Sequence, residues 1–328
     1  MKKLSTHRLF AINLDSDFPF DNYLAPSKGP TELTFTVSDQ PPISEAWDSV
    51  NPVYRSPRQD QHGESIAHLH RLSGYEVLSF PRVADFYVQS ERIACHLRDP
   101  DLEYMVEIRL LGPVLSYWLE RRGIPALHAS AVAVDGQAIA FISRHGGGKT
   151  GLAAAMMQAG YPLLTDDILP VEDKEGLQGR PGYPQVRMWP DEAAYFVGRF
   201  EELPLVHPEL SKRRVPVGPG GFGSFYDSPL PLKSIFLAER SDLVERVEIR
   251  PVSSMEAVIE LVRHSFLPRL VEAAGLQPAR LDLFARLVKQ VPVRRLVYPS
   301  GFEHLPRVVD AILGALRNHP GIASEMGL

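Results

Sequence analysis

Three groups of residues near the middle of the chain have the types and spacing that chemistry requires. The first is Ser143-Arg144-His145-Gly146-Gly147-Gly148-Lys149-Thr150, a run of small residues closing on Gly-Lys-Thr. Set between an apolar strand and a helix, such a run points successive backbone N–H groups at an anion, and the positive end of the helix adds to the attraction. The lysine then reaches the outer phosphates, and the threonine hydroxyl can ligate Mg²⁺. Arg144, His145, Gly146, Gly147, Gly148, Lys149, Thr150 and Gly151 are therefore the candidate nucleotide-binding residues. The usual Gly-x-x-x-x-Gly-Lys-[Ser/Thr] pattern has Ser143 in its first position here, which requires a negative φ at that residue.

The second group is Thr165-Asp166-Asp167, one helix further on. Asp caps helices and turns well, which is the bland explanation of the pair. On a strand that continued through both residues the side chains would point opposite ways, one to ligate Mg²⁺ and the other to face an acceptor hydroxyl. That division suits phosphoryl transfer, which needs charge neutralisation, alignment and a proton acceptor. The third group is dispersed. His128 is a candidate neighbour of the γ-phosphate or a packed structural histidine. Arg187 and the cluster Lys212-Arg213-Arg214 are either a solvated basic face or cations for transferred charge or an acidic acceptor. His62, His68 and His70 read as a solvated or packed group rather than a metal site.

The elements around these residues follow from pattern. Leu127-His-Ala-Ser-Ala-Val-Ala-Val134 and Gln137-Ala-Ile-Ala-Phe-Ile142 are two apolar runs joined by Asp135-Gly136, a strong hairpin signal. The strand entering the loop is thus expected to pair antiparallel with its predecessor, unlike the parallel βαβ units of the commonest nucleotide-binding folds. Gly151 to Ala159 reads as a helix stopped by Gly160, and Pro162 to Thr165 as a short buried strand delivering the aspartates. Further on, strands are expected at Leu232–Ala238, Val247–Val252 and Arg294–Tyr298, and helices at Asp191–Phe200, Met255–Ser265, Arg280–Val288 and Leu305–Leu316. The segment Pro216 to Gly223, rich in Pro and Gly, has the composition of a lid. Upstream, Leu33–Val37, Tyr75–Phe80, Ala84–Val88 and Ile93–Leu97 read as short strands of a meander, with a long loop from Asp39 to Gly63. Leu102 to Arg122 has helical periodicity, with Pro113 inside it expected to kink or break the helix.

At 328 residues the chain exceeds one ordinary core, so two units are expected: a β-rich N-terminal domain, 1–101, and an α/β domain, 102–328. The net charge of −5 gives no electrostatic reason for a nucleic-acid or anionic-membrane partner. A single cysteine, Cys95, excludes an internal disulfide and a multi-cysteine metal site. The N-terminal apolar run is too short for a signal-peptide core and no long uncharged stretch follows, which makes the cytoplasm the expected location.

Leu127-His128-Ala129-Ser130-Ala131-Val132, the Asp-Gly hairpin, Gly146-x-Gly148-Lys149-Thr150 and Leu164-Thr165-Asp166-Asp167-Ile168-Leu169 together resemble the C-terminal kinase domain of the HPr kinase/phosphorylase family. The likeness is greatest to its stand-alone relatives in ribosomal-peptide clusters, the lasso peptide kinases. It implies an α/β (α+β) fold akin to phosphoenolpyruvate carboxykinase, with a phosphate loop between a hairpin strand and a helix. It also implies ATP and Mg²⁺ as cofactors. By that resemblance Lys149 and Thr150 serve ATP and Mg²⁺, Asp166 holds metal with Thr150, and Asp167 is the general base. His128 lies beside the reacting phosphate. Arg187 is a catalytic candidate from the residue reading above, as a cation for transferred charge, and is not part of what the resemblance implies. The implied acceptor is a serine hydroxyl, that of a precursor peptide in the lasso relatives. A small molecule such as free serine or a sugar would use the same ATP site. HPr is not expected as the acceptor, because the features that bind it are not recognisable. Arg144-His145 stands where small residues are usual, and a nucleotide-gated adaptor without transfer is the alternative that this pair favours. A homo-oligomer is compatible with the family, though no residue here specifies one.

Overall fold

Alternation builds the first sheet. In Leu33–Ser38, Leu33 and Phe35 are fully buried while Thr34 and Thr36, which alternate with them, are half-buried. The computed structural model describes residues 4–20, 24–43, 47–144, 146–198 and 200–317. Within them, nine strands between Ser5 and Leu97 form one sheet. Tyr75–Phe80, Ala84–Val88 and Arg92–Leu97 are the expected antiparallel meander. Leu33–Ser38 departs from it, running parallel to both Ile12–Ser16 and Arg92–Leu97, and the long excursion between residues 39 and 91 is what allows that return.

The helical stretch after this sheet buries Val106, Leu110, Leu111, Val114, Leu115 and Trp118 in one core with Leu33, Phe35, Phe86 and Ile93. It is not a single α-helix. Glu103–Arg109 and Leu115–Glu120 are α-helical, and Leu110–Val114 between them is a π turn containing Pro113. Proline has no N–H to donate, so the hydrogen-bond ladder widens there and the stretch continues.

A second nine-stranded sheet holds the candidate residues. Ala129–Val134 and Gln137–Ile142 pair antiparallel around Asp135 and Gly136, both with positive φ, as a tight two-residue turn requires. On its other side Gln137–Ile142 runs parallel to Leu230–Ser241, which in turn runs parallel to Val293–Pro299. The strand entering the loop therefore has one antiparallel and one parallel neighbour. Its side chains divide by parity. Ile139 and Phe141 enter a core with Leu152 and Met156 of the helix Lys149–Gln158 and with Val308 and Ile312 of the helix Leu305–Arg317. Ala138, Ala140 and Ile142 face a second core with Leu261, Leu283, Phe284 and Leu287, from the helices Ser254–Arg263 and Gln277–Gln290. Helices on both faces hold this strand rigidly, and the loop at its end inherits that rigidity.

A three-stranded sheet of Gln185–Met188, Leu210–Pro216 and Leu205–His207 stands beside the loop. The Pro216 to Gly223 segment does not have the placement of a lid. Gly223 packs against Met157 near the C-terminal end of the helix that begins at Lys149, so the segment lies at the far end of that helix from the glycine loop. Its turn is closed by hydrogen bonds from Gly221 N to Gly218 O and from Phe222 N to Pro216 O.

Candidate active site

The loop takes its shape from glycine where no other residue fits. Gly146 and Gly148 have φ of 76° and 88°. A Cβ on Gly147 would lie 2.8 Å from Ser143 Cβ, and one on Gly148 would lie 2.5 Å from the Tyr298 hydroxyl. Ser143 needs no such freedom, since its φ is not positive. The turn is closed by Gly147 N donating to Arg144 O at 2.9 Å, and the helix begins at Lys149. The amides of a first helical turn have no partner inside the helix, so they are available to an anion. The hollow in front of them is lined by Gly146, Gly147, Gly148, Lys149 and Thr150, and on its other side by Trp189, Glu192 and Lys212. Of the basic cluster, Lys212 alone lines this hollow, its ammonium 5.2 Å from the Trp189 ring centre. Arg213 bonds the Leu203 carbonyl and Arg214 pairs with Glu107. The Arg144 side chain is exposed and does not line the hollow, and His145 lies outside the described residues.

The strand before the aspartates is shorter than a continuous pattern would have it. Leu163–Thr165 ends before the pair, and Asp167 has a φ of 74°. The two side chains still diverge, but the cause is this left-handed residue and not strand alternation. Asp166 points inward, accepting from Ser130 Oγ at 2.5 Å and Thr150 Oγ1 at 2.9 Å with one oxygen, and from Arg187 N at 2.9 Å with the other. Asp167 faces Arg187 Nη1 at 3.0 Å, His128 Nδ1 at 3.2 Å and Lys149 Nζ at 3.9 Å.

His128 is fixed in one tautomer by its neighbours. Its Nδ1 lies 3.0 Å from the Asp167 carbonyl oxygen as well as close to the Asp167 carboxylate, so that nitrogen must carry a proton. Its Nε2, 3.0 Å from Lys149 Nζ, is then the acceptor of an ammonium proton. The electrostatics agree. Burial, and then the Lys149 charge, hold the His128 pKa below its usual value, so the ring is neutral. Burial also lowers the Lys149 pKa, and the two aspartates oppose that. For Asp167 burial works against ionisation, but Arg187, His128 and Lys149 outweigh it and hold the carboxyl below its ordinary value. Burial likewise disfavours the Arg187 charge, and Tyr183 and both aspartates more than offset this. Arg187 is also oriented by its Nη2, which donates to the Tyr183 hydroxyl at 2.8 Å.

Lys149, Thr150, Asp166, Asp167, His128 and Arg187 thus converge within one cluster. Among the described residues no three His, Cys, Asp or Glu side chains converge as a metal cage. A cation held here would rest on Asp166 and Thr150, with its remaining positions filled by ligand oxygens and water, which is the coordination Mg²⁺ favours. Three contributors were not anticipated from the sequence. Ser130 had a signal, since it lies two residues from His128 and strand alternation puts such residues on one side. Tyr183 and Glu192 had none, because they reach the site only through tertiary packing.

No protein-family model matches the chain, and no curated protein matches it. Among solved structures it is similar to the Hpr(Ser) kinase/phosphatase from Coxiella burnetii, with 10% sequence identity and a TM-score of 0.29. That alignment covers 58% of this chain and 95% of the other. A likeness at this level says nothing about activity, which has to come from the side chains.

Proposed function

We propose that the chain is a Mg·ATP-dependent kinase that phosphorylates a hydroxyl. The observation that carries this reading is the meeting of the glycine loop with the two aspartates: Thr150 bonded to Asp166, and Lys149 beside Asp167 and His128. A cradle that only held phosphate would need no second carboxylate facing the lysine. In this reading Lys149 and the loop amides bind the outer phosphates, with Lys212 on the opposite wall. Thr150 and Asp166 hold Mg²⁺, which would neutralise phosphate charge when bound. Asp167 accepts the hydrogen bond, and then the proton, of the acceptor hydroxyl. Its lowered pKa is no obstacle, because phosphoryl transfer passes through a loose transition state that asks for alignment more than for basicity. His128 donates through Nδ1 to Asp167 and steadies Lys149 through Nε2, while Arg187 balances the Asp167 charge. For the acceptor we adopt a serine hydroxyl at the C-terminus of a precursor peptide, on the sequence resemblance.

The test is incubation with γ-labelled ATP, Mg²⁺ and peptides ending in serine. Label on the peptide is expected. Asp167→Asn is expected to keep nucleotide binding while turnover falls by about a hundredfold or more. Near-normal turnover in that variant would remove Asp167 as the proton acceptor. ATP binding with no transfer to any acceptor would favour the adaptor reading.

A further inference from the structure

The tip of the first hairpin is buried against the site instead of standing in water. Ser5–Leu9 and Ile12–Ser16 pair antiparallel with Leu9 opposite Ile12, so Phe10 and Ala11 are the whole turn. Both have positive φ, 49° and 59°, which a two-residue turn requires and which Gly, Asn or Asp would supply with less strain. Strained backbone of this kind persists only where its surroundings over-determine it. Here the surroundings are the segment that runs into the site. Phe10, 1% exposed, donates from its N to Gly182 O at 3.3 Å, and Arg180 Nη1 donates to Phe10 O at 3.2 Å. The same segment is pressed onto the strand before the aspartates: Gly182 N donates to Leu164 O at 2.9 Å, and a Cβ on Gly182 would fall 2.4 Å from Thr165 Oγ1. The Phe10 ring meets the Tyr183 ring edge-on, with centroids 6.2 Å apart.

We infer that the Phe10-Ala11 turn, through Tyr183, is a positioning element for Arg187 and so for the Asp167 carboxylate, a role that rests on the kinase reading above. Arg187 has two holds. Its Nη1 donates to Asp167 Oδ2 at 3.0 Å and its Nη2 to the Tyr183 hydroxyl at 2.8 Å. Two bonds fix the plane of a guanidinium, whereas one leaves it free to turn about that bond. The Tyr183 hydroxyl can act as the second hold only while its ring stays in place. That ring is buried in the same core as Phe10 and Ile168, with the turn braced against it. The N-terminal sheet is thereby a working part of the site.

The experiment is the labelled-ATP transfer assay, with ATP affinity measured separately by calorimetry. It compares the wild type with Tyr183→Phe, Phe10→Leu and Arg187→Lys, and with the first two each combined with the third. Tyr183→Phe keeps the ring and loses only the hydroxyl, and should lower kcat about tenfold. Phe10→Leu keeps most of the buried bulk but loses the ring edge, and should lower kcat about threefold. ATP affinity belongs to the glycine loop and should stay within about twofold in both, which also shows that they are folded. Arg187→Lys keeps the charge but has no fork to share between Asp167 and Tyr183. In that background neither Tyr183→Phe nor Phe10→Leu should lower kcat further. Wild-type kcat in either single variant would overturn the role while leaving the kinase reading standing. So would the same fractional loss with and without Arg187→Lys, or a parallel loss of ATP affinity, since either marks a merely structural part. A wild type that transfers label to no acceptor would overturn the kinase reading and this role together.

Discussion

Asp166 and Asp167 are adjacent in sequence and opposite in circumstance, and the difference predicts how their variants behave. Asp166 gathers two buried hydroxyls and a partly buried backbone N–H, and it is 9% exposed. Removing it in Asp166→Ala strands those donors, at about 1–3 kcal/mol for each that finds no water. Urea unfolding should show a loss of a few kcal/mol, together with loss of Mg²⁺-dependent nucleotide affinity. Asp167 is met by the Arg187, His128 and Lys149 side chains, and the amide oxygen of Asp167→Asn can still accept from them, so that variant should cost less in unfolding than Asp166→Ala while it removes turnover. Equal destabilisation by both would contradict this division. The pair itself was legible in the sequence, as were Lys149, Thr150 and His128, because a phosphate cradle has to be written in consecutive residues. What separated the two aspartates was not legible. It depends on the positive φ of Asp167, and no local pattern announces a left-handed aspartate at the end of a strand.

The element that sets the loop is the strand beneath it, wedged between an antiparallel and a parallel neighbour. Asp135-Gly136 announced the first pairing. The second joins residues about ninety positions apart, which sequence spacing does not reveal. The same distant packing brings Tyr298, from the end of Val293–Pro299, against Gly148. Gly148→Ala therefore meets two penalties: a left-handed backbone, about 1–2 kcal/mol, and a Cβ 2.5 Å from the Tyr298 hydroxyl. Tyr298→Phe removes the second and not the first. A double-mutant cycle should show Gly148→Ala costing clearly more in the wild type than in the Tyr298→Phe background, where only the backbone cost of about 1–2 kcal/mol remains. Equal cost in both backgrounds would mean the hydroxyl moves aside freely. The π turn at Leu110–Val114 is a related lesson: Pro113 marked an interruption in the sequence, but whether the stretch broke or continued was decided by its packing against the first sheet.

Across the whole molecule, polar groups are buried to join layers. Arg280, 2% exposed, grips Glu120 with two nitrogens and also bonds Ser265 Oγ and the Phe266 carbonyl, tying the helix Gln277–Gln290 to the stretch that ends at Glu120. Breaking such a pair from one side, as in Glu120→Gln, should cost about 3–5 kcal/mol in urea unfolding, because a buried guanidinium is left without its charge partner. Histidines set the response to acid. His7, His68, His70, His128 and His264 all have pKa values held below 6.5, with burial the largest cause in each. Above pH 6.5 these rings are mostly neutral in both the folded and the unfolded chain, and their contribution is complete. Below it the unfolded chain takes up protons that the folded chain resists, so stability falls with falling pH, by at most about 1.4 kcal/mol per pH unit for each ring. The half-exposed rings fall well short of that ceiling, since solvent screens them. Asp167, with a carboxyl held low, gives up its contribution only at still lower pH, and Glu192, raised by burial, opposes the trend as one group against five. Urea midpoints should therefore drop between pH 7.5 and 5.5, and His128→Gln should flatten the slope by removing one of the five. A midpoint that stays level or rises over that interval would show that these rings do not govern the acid limb.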